Sequence, residues 1–285
     1  MGPGMGTMDG KVALVTGATS GIGKATAIGL AKEGAAITIL VRSKERGAAA
    51  AREIAAAAPG APPVSLLECD LSSQASIRRA AAEFLATHEK LHVLVNSAGV
   101  FRKARRVTPD GLEETFATNY LAYFLLTNLL LPALKRGAPS RVVNVSSRYG
   151  GAKVDFSDLQ TEKKYSYMRS TPKTMVARVL FTQEMAERLK GTGVVVNTLH
   201  PGLVKDTQLL NDVGGVFRWM TNAFGKSAAE GADTVVWLAT APENAAVTGK
   251  MFAKRKEIAT PGQGSDLAAR KRLWDESVKL TKLAP

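Results

Sequence analysis

Val12 to Gly23 reads VALVTGATSGIG, and KATAIGLAKEG follows. The four apolar residues Val12 to Val15 suit a buried strand. Thr16-Gly17 and Ala18-Thr19-Ser20 lead to Gly21-Ile22-Gly23, and the apolar residues beyond recur at helical spacing. Strand, glycine-rich turn, helix is an order that few folds accommodate. So tight a turn needs the backbone angles that glycine adopts freely, and a missing Cβ lets a pyrophosphate approach the main chain. The helix behind points unsatisfied N–H groups and its positive dipole end at the same place. The run predicts a dinucleotide site opening a βαβ unit, with Gly17, Thr19, Ser20, Gly21, Ile22 and Gly23 around the phosphates. An ordinary βα loop is the alternative that the rest of the chain must decide against.

The rest of the chain alternates strand and helix, which argues for a parallel sheet with helices on both faces. Strands are expected at Val12–Thr16, Ala36–Val41, Val64–Glu68, Val93–Asn96, Arg141–Val145 and Val194–Leu199, with a short last one at Met251–Phe252. Helices are expected at Gly23–Lys32, Lys44–Ala57, Gln74–Thr87, Leu112–Leu134, Pro172–Lys190 and Ala228–Leu238. The fold class is thus α/β: a single doubly wound domain over residues 8–285, with a seven-stranded parallel sheet. Residues 1–7 read as a disordered tail. A length of 285 residues fits one domain with a sizeable core. Lys205–Gly225 has weak periodicity, and a loop of that length suits a lid or a binding segment.

The net charge of +13 permits acidic partners, but the basic residues are spread along the chain. The densest zone pairs Lys254-Arg255-Lys256 with Arg270-Lys271-Arg272, and no nucleic-acid motif accompanies it. The lone cysteine, Cys69, suits a reducing compartment such as the cytoplasm. No apolar leader is visible at the start. The longest apolar run, Leu121 to Leu134, is broken by Thr127, Asn128 and Pro132, so no transmembrane segment is expected. No metal site is expected either.

The second strand ends in Val41-Arg42-Ser43. A carboxylate here would accept hydrogen bonds from an adenosine ribose, as NAD sites require. A guanidinium instead suits a 2′-phosphate, so Arg42 favours NADP(H). The alternative is that Arg42 merely starts a solvated helix with Lys44 and Arg46.

Further motifs are Asp70-Leu71, Asn96-Ser97-Ala98-Gly99, Asn119, Val143-Asn144-Val145-Ser146-Ser147 and His200-Pro201-Gly202. With the glycine-rich turn, they resemble the short-chain dehydrogenase/reductase family from about Met8 to Leu283. DLQTEKKYS (Asp158–Ser166), VLFTQEMAERL (Val179–Leu189) and VTGKMFAKRKEI (Val247–Ile258) are similar to its retinol-dehydrogenase-like branch. The resemblance implies a Rossmann fold and a role for each matching residue. Asp70 and Leu71 would hold the adenine. Asn96, Ala98 and Gly99 would line the adenosine ribose. Pro201, Gly202, Leu203 and Val204 would bind the carboxamide. Asp206 stands where the family keeps a threonine, with Thr207 one later. Members of the family often pair through the helices that correspond to Leu112–Leu134 and Pro172–Lys190, so the resemblance leaves a homodimer open, as helical periodicity does not tell a dimer face from a core face.

The family's active site uses Asn, Ser, Tyr and Lys, the last two as Tyr-x-x-x-Lys on one helical face. Its tyrosine handles the proton, and its lysine lowers the phenol pKa and holds the nicotinamide ribose. Asn119 and Ser147 match the first two. Carrying the branch's register from Asp158 to Leu189 puts Thr171 at the tyrosine and Met175 at the lysine. A shifted register would put Lys173 at the lysine and Arg169 at the tyrosine, at the cost of two extra residues inside a helix. The Tyr149 to Lys153 spacing crosses Gly150-Gly151 and reads as loop. Thr171-Pro172 reads as the cap and first residue of the helix.

A threonine hydroxyl cannot replace a phenol as an acid, and methionine carries no charge. Hydride delivery needs only a placed nicotinamide and an electrophile. The expectation is therefore NADPH-dependent reduction of an activated or conjugated apolar molecule, such as a quinone, enone or iminium, without the usual relay. Substitute proton donors would be Tyr149, Arg148, Lys153, Tyr167, Arg169, Lys205 or Asp206. Alternatives are a non-redox cyclase or isomerase with bound NADP, and a catalytically silent binding protein. Leu209, Leu210, Val216, Phe217, Trp219 and Met220 suggest an apolar or aromatic substrate, in keeping with a biosynthetic role.

Overall fold

The computed structural model describes residues 6–149, 151–205, 225–260 and 262–283. Residues 206–224 of the expected lid segment lie outside them, and with them Asp206, Thr207, Leu209, Leu210, Val216, Phe217, Trp219 and Met220. Among the described residues, one sheet runs in the order β3-β2-β1-β4-β5-β6-β7-β8. The strands are β1 (Val12–Thr16), β2 (Ala36–Val41), β3 (Ser65–Glu68), β4 (Val93–Asn96), β5 (Ser140–Val145), β6 (Val194–Leu199), β7 (Met251–Ala253) and β8 (Lys256–Ile258). β1 pairs in parallel with β2 on one side and β4 on the other, so Val15 faces Ile39 and Val95 across the ladder. The winding direction reverses between β1 and β4. Open α/β sheets place their crevice at such a point, beyond the carboxyl ends of the strands.

The sheet has eight strands rather than the seven expected. β8 folds back antiparallel on β7, with Met251 facing Ile258. Lys254 and Arg255 make the turn at φ +50 and +58. That geometry matches the twist of a two-residue hairpin, and two basic residues in it give no glycine or asparagine signal.

Helices α1 (Gly21–Lys32), α2 (Lys44–Ala57) and α6 (Ala228–Thr240) cover one face of the sheet. Ala27, Leu30, Ile54, Val235 and Leu238 pack there against Val15, Ile37, Ile39 and Val143. The other face carries α3 (Gln74–Thr87), α4 (Glu114–Arg136), α5 (Tyr167–Arg188) and α7 (Leu267–Thr281). Its core joins Phe84, Tyr120, Phe124, Leu180, Phe181 and Leu273.

α5 begins at Tyr167, five residues before the expected start. Ser166 caps it by accepting from the Met168 amide. Thr171-Pro172 is therefore not the cap: both lie inside the helix. Pro172 has no N–H to give the Met168 carbonyl four residues back, so that helical bond is missing from α5. α4 starts at Glu114 and contains a π-helical turn, Ala117–Leu121. Among the described residues it is the one helix long and apolar enough to cross a membrane; 78% of that stretch is buried inside the protein, as in a core helix. α7 was not expected. Its buried residues Ala269, Leu273, Ser277 and Thr281 form a narrow, half-polar stripe with weak periodicity. Gly6 and Thr7 belong to the body rather than a tail: the Gly6 amide donates to Asp9 and the Thr7 hydroxyl to Glu33.

Candidate active site

A cleft of about 470 Å³ opens beyond the carboxyl ends of β1, β2, β4 and β5. Its floor is the turn between β1 and α1. Gly17 holds φ +69, and a Cβ there would come within 2.8 Å of the Ala98 Cα. A Cβ on Gly23 would lie 2.3 Å from the Gly17 carbonyl oxygen. The turn therefore admits no side chain at either position, and main chain faces the cleft. Ser20 stands at the start of α1 with no side-chain capping bond, which leaves the first N–H groups of α1 available to an anion. Thr16 fixes the opposite wall: its hydroxyl accepts from the amides of Ser97 and Ala98 at 2.9 and 3.1 Å.

Gly17, Thr19, Ser20, Gly21, Ile22, Gly23, Arg42, Asp70, Leu71, Ala98 and Gly99 all line this cleft. So do Ser43 and Arg46, which sequence reading set apart as a helix start. Asn96 does not. Its amide is fully buried and donates to Thr127 and Asn144, joining β4 to β5. Cys69 also lines the cleft, but burial pushes its thiol up to about 12, so it is no nucleophile at neutral pH.

The opposite end of the cleft is lined by Ser147, Thr171 and Met175, together with Pro201, Gly202, Leu203 and Val204. Thr171 is buried, and its hydroxyl has no hydrogen-bond partner among the described residues. The Thr118 hydroxyl, on the π-helical turn of α4, is orphaned in the same way and lines the same cleft. Ser146 donates to the Met175 carbonyl at 2.9 Å and tethers α5 to the end of β5. Asn119 does not reach the cleft with its side chain. Its amide clamps Val100, accepting from the amide at 2.7 Å and donating to the carbonyl at 2.9 Å.

Lys173 is buried elsewhere. It donates to the Leu159 carbonyl and the Thr161 hydroxyl, under the ring of Phe116. Burial lowers its pKa to about 8 against the pull of Glu113, Asp158 and Asp155. Of the substitute proton donors, Tyr149 alone among the described residues lines the cleft. Burial raises its pKa, so the phenol keeps its proton at neutral pH. Tyr167 packs on Phe101, with ring centroids 5.1 Å apart, and Arg169 donates to the Lys164 carbonyl.

Arg178, which sequence reading passed over, also lines the cleft. It is buried, and its Nη1 and Nη2 donate to the carbonyls of Val145 and Ala98 at 2.7 and 3.1 Å. Its Nε donates to the Asn119 carbonyl. A charged residue at a core-facing position of a helical run was the available signal.

A doubly wound sheet with a glycine cradle at its winding reversal defines a dinucleotide-binding oxidoreductase fold. The short chain dehydrogenase model matches residues 11–214, and the chain belongs to that family. It is 40% identical to human retinol dehydrogenase 14, over 95% of this chain and 86% of that protein. It is 39% identical to mouse retinol dehydrogenase 13, over 99% and 87%. Among solved structures, an uncharacterized protein from Mycobacterium paratuberculosis superposes with a TM-score of 0.80 at 29% identity, covering 98% of this chain and 96% of that one. A Burkholderia cenocepacia short chain dehydrogenase in complex with NADP gives 0.69 at 27%, covering 86% and 96%. The chain is thus an oxidoreductase of the retinol-dehydrogenase-like branch. The uncapped N–H groups at the start of α1 and the main chain of the glycine turn that lines the cleft fit the phosphates of the family's nucleotide, NAD(P)(H).

Proposed function

We propose that this protein is an NADP(H)-dependent reductase of an activated or conjugated apolar small molecule, a quinone, enone or iminium. The observation that carries the reading is the pair Thr171 and Met175 lining the reactive end of the cleft. Neither side chain can shuttle a proton as a phenol–ammonium pair does. An electron-poor acceptor lessens that need, because it takes hydride before protonation is complete. Retinol, named by the relatives, is itself an apolar conjugated molecule.

Arg42 and Arg46 line the cleft where β2 ends, and the residue that follows Val41 is an arginine rather than a carboxylate. Two guanidinium groups suit a 2′-phosphate. When bound, the reduced nicotinamide supplies hydride. Tyr149, held protonated by burial, offers the proton that completes the reduction. The same protonated phenol is a poor base, which disfavours alcohol oxidation at neutral pH. Ser147 and Thr171 present hydroxyls to a substrate oxygen. The protein is read as cytoplasmic and able to pair as a homodimer.

Nucleotide fluorescence in a titration tests the first half: NADPH binds, and more tightly than NADH. The second half is tested by following nicotinamide absorbance with quinones, enones and simple aldehydes. Turnover of the conjugated acceptors, lost in Tyr149→Phe, is the expected result. Rapid turnover of simple aldehydes would contradict the roles given to Thr171 and Met175. Binding without any turnover would leave a silent or non-redox protein.

A further inference from the structure

Among the described residues, Arg178 is a buried cation with no carboxylate partner. Burial lowers its pKa, and the neighbouring Tyr123 phenol opposes that fall. Its compensation comes from carbonyl dipoles and a ring face: three main-chain oxygens and the Tyr123 ring, 4.2 Å from the guanidinium carbon. A methionine or leucine would fill this space at lower desolvation cost. The charge therefore needs a reason beyond packing.

Its position supplies one. Met175 stands three residues earlier on the same face of α5, and Arg178 Nη1 lies 3.5 Å from its sulfur. The carbonyls of Ala98 and Val145 belong to the chain just beyond β4 and at the end of β5, on either side of the cleft. The guanidinium bridges them, and it lines the cleft beside Thr171 and Met175. Its five N–H groups outnumber the carbonyls that take them.

We propose that Arg178 supplies the fixed positive charge at the nicotinamide-ribose end of the cleft, one helical turn beyond Met175, in place of an amine at position 175. This rests on the reading of the cleft as a nicotinamide nucleotide site. Arg178 acts as a positioning residue. It holds the Ala98, Asn119 and Val145 carbonyls in one array and keeps that end of the cleft electropositive. Because the charge sits on a planar group anchored at three nitrogens, it cannot swing toward a substrate as a lysine amine can.

The test is NADPH affinity, read by fluorescence titration, with folding checked by circular dichroism and thermal melting. Arg178→Gln should weaken NADPH roughly tenfold, because the fixed charge at that end of the cleft is lost. Adding Met175→Lys to Arg178→Gln should return the affinity to within about threefold of wild type. A purely structural arginine would not be rescued by a lysine at another position. Unchanged affinity in folded Arg178→Gln, or failure of the second substitution to rescue it, overturns the proposal. Should Arg178→Gln not fold, Met175→Lys alone decides. With the charge already present, a second cation beside it should lower the melting temperature and add no affinity. A gain of about tenfold or more would mean that the place was vacant, and the proposal fails. A wild-type protein that binds no NADPH would instead sink the nucleotide reading, so the two failures are distinct.

Discussion

Arg178 and Tyr123 converge on one atom. The Tyr123 hydroxyl donates to the Ala98 carbonyl at 2.7 Å, Arg178 Nη2 donates to the same oxygen at 3.1 Å, and the guanidinium lies over the Tyr123 ring. The ring belongs to α4, the cation to α5 and the acceptor to the loop beyond β4. Three parts of the chain are thus locked at one carbonyl beside the cleft.

Tyr123→Phe keeps the ring under the cation and removes only the hydroxyl donor. Arg178 still satisfies the Ala98 oxygen. The expected cost in urea unfolding is about 0.5–1.5 kcal/mol, with NADPH affinity nearly unchanged. Burial lifts the Tyr123 phenol to about 12, so this bond should not titrate below that pH.

Arg42→Ala should separate the two nucleotides. NADPH should weaken about tenfold or more, since a charge-assisted phosphate contact is lost, while NADH changes by less than roughly twofold. Titration of both cofactors against both proteins is the measurement. Equal weakening of NADPH and NADH would assign Arg42 to α2 stability instead.

Restoring a proton relay requires moving the cation as well as adding a phenol. Thr171→Tyr with Met175→Lys alone would place an amine against the Arg178 guanidinium. Thr171→Tyr, Met175→Lys and Arg178→Gln together should raise reduction of a simple aldehyde by about a hundredfold over wild type, the usual scale of general acid catalysis. The double variant without the change at 178 should be the less stable of the two in thermal melts.

Lys173 makes stability depend on pH in an uncommon direction. Its pKa falls from 10.5 unfolded to about 8 folded, chiefly by burial. Below pH 8 the lysine is charged in both states and the folded protein bears the whole desolvation penalty. Between pH 8 and 10.5 the unfolded chain binds a proton that the folded one does not, so this group makes stability rise with pH. Denaturant melts across that window should show the rise in wild type relative to Lys173→Met.

The parts of this fold that repeat simple patterns were readable from the residues. β1, β2, β4 and β6 match expectation to the residue because runs such as AITILV and VVVNTL are buried on both faces. The glycine cradle was readable because only glycine fits where Ala98 and the Gly17 carbonyl approach. The start of α5 was not. Thr171-Pro172 carries a capping pattern, but Ser166 caps the helix earlier, and tertiary burial of Ser170 and Thr171 overrides the local preference. Asn96 and Asn119 carry the family's residue types, yet both side-chain NH2 groups are given to neighbouring chain and neither residue lines the cleft. Arg178 was missed because periodicity ranks positions by apolar character and has no way to mark a cation that backbone carbonyls will solvate.

The wide turn at Ala117–Leu121 makes α4 intolerant of a change that most helices would welcome. A substitution that drew those same five residues into regular α pitch would wind them through a larger angle. Everything before them would then rotate by about 100° relative to everything after. Glu113, which caps the first turn and accepts from Ser170 on α5, would swing off its partners. Stabilising this protein by raising helix propensity must therefore leave those five residues alone, however ordinary they look on a helical wheel.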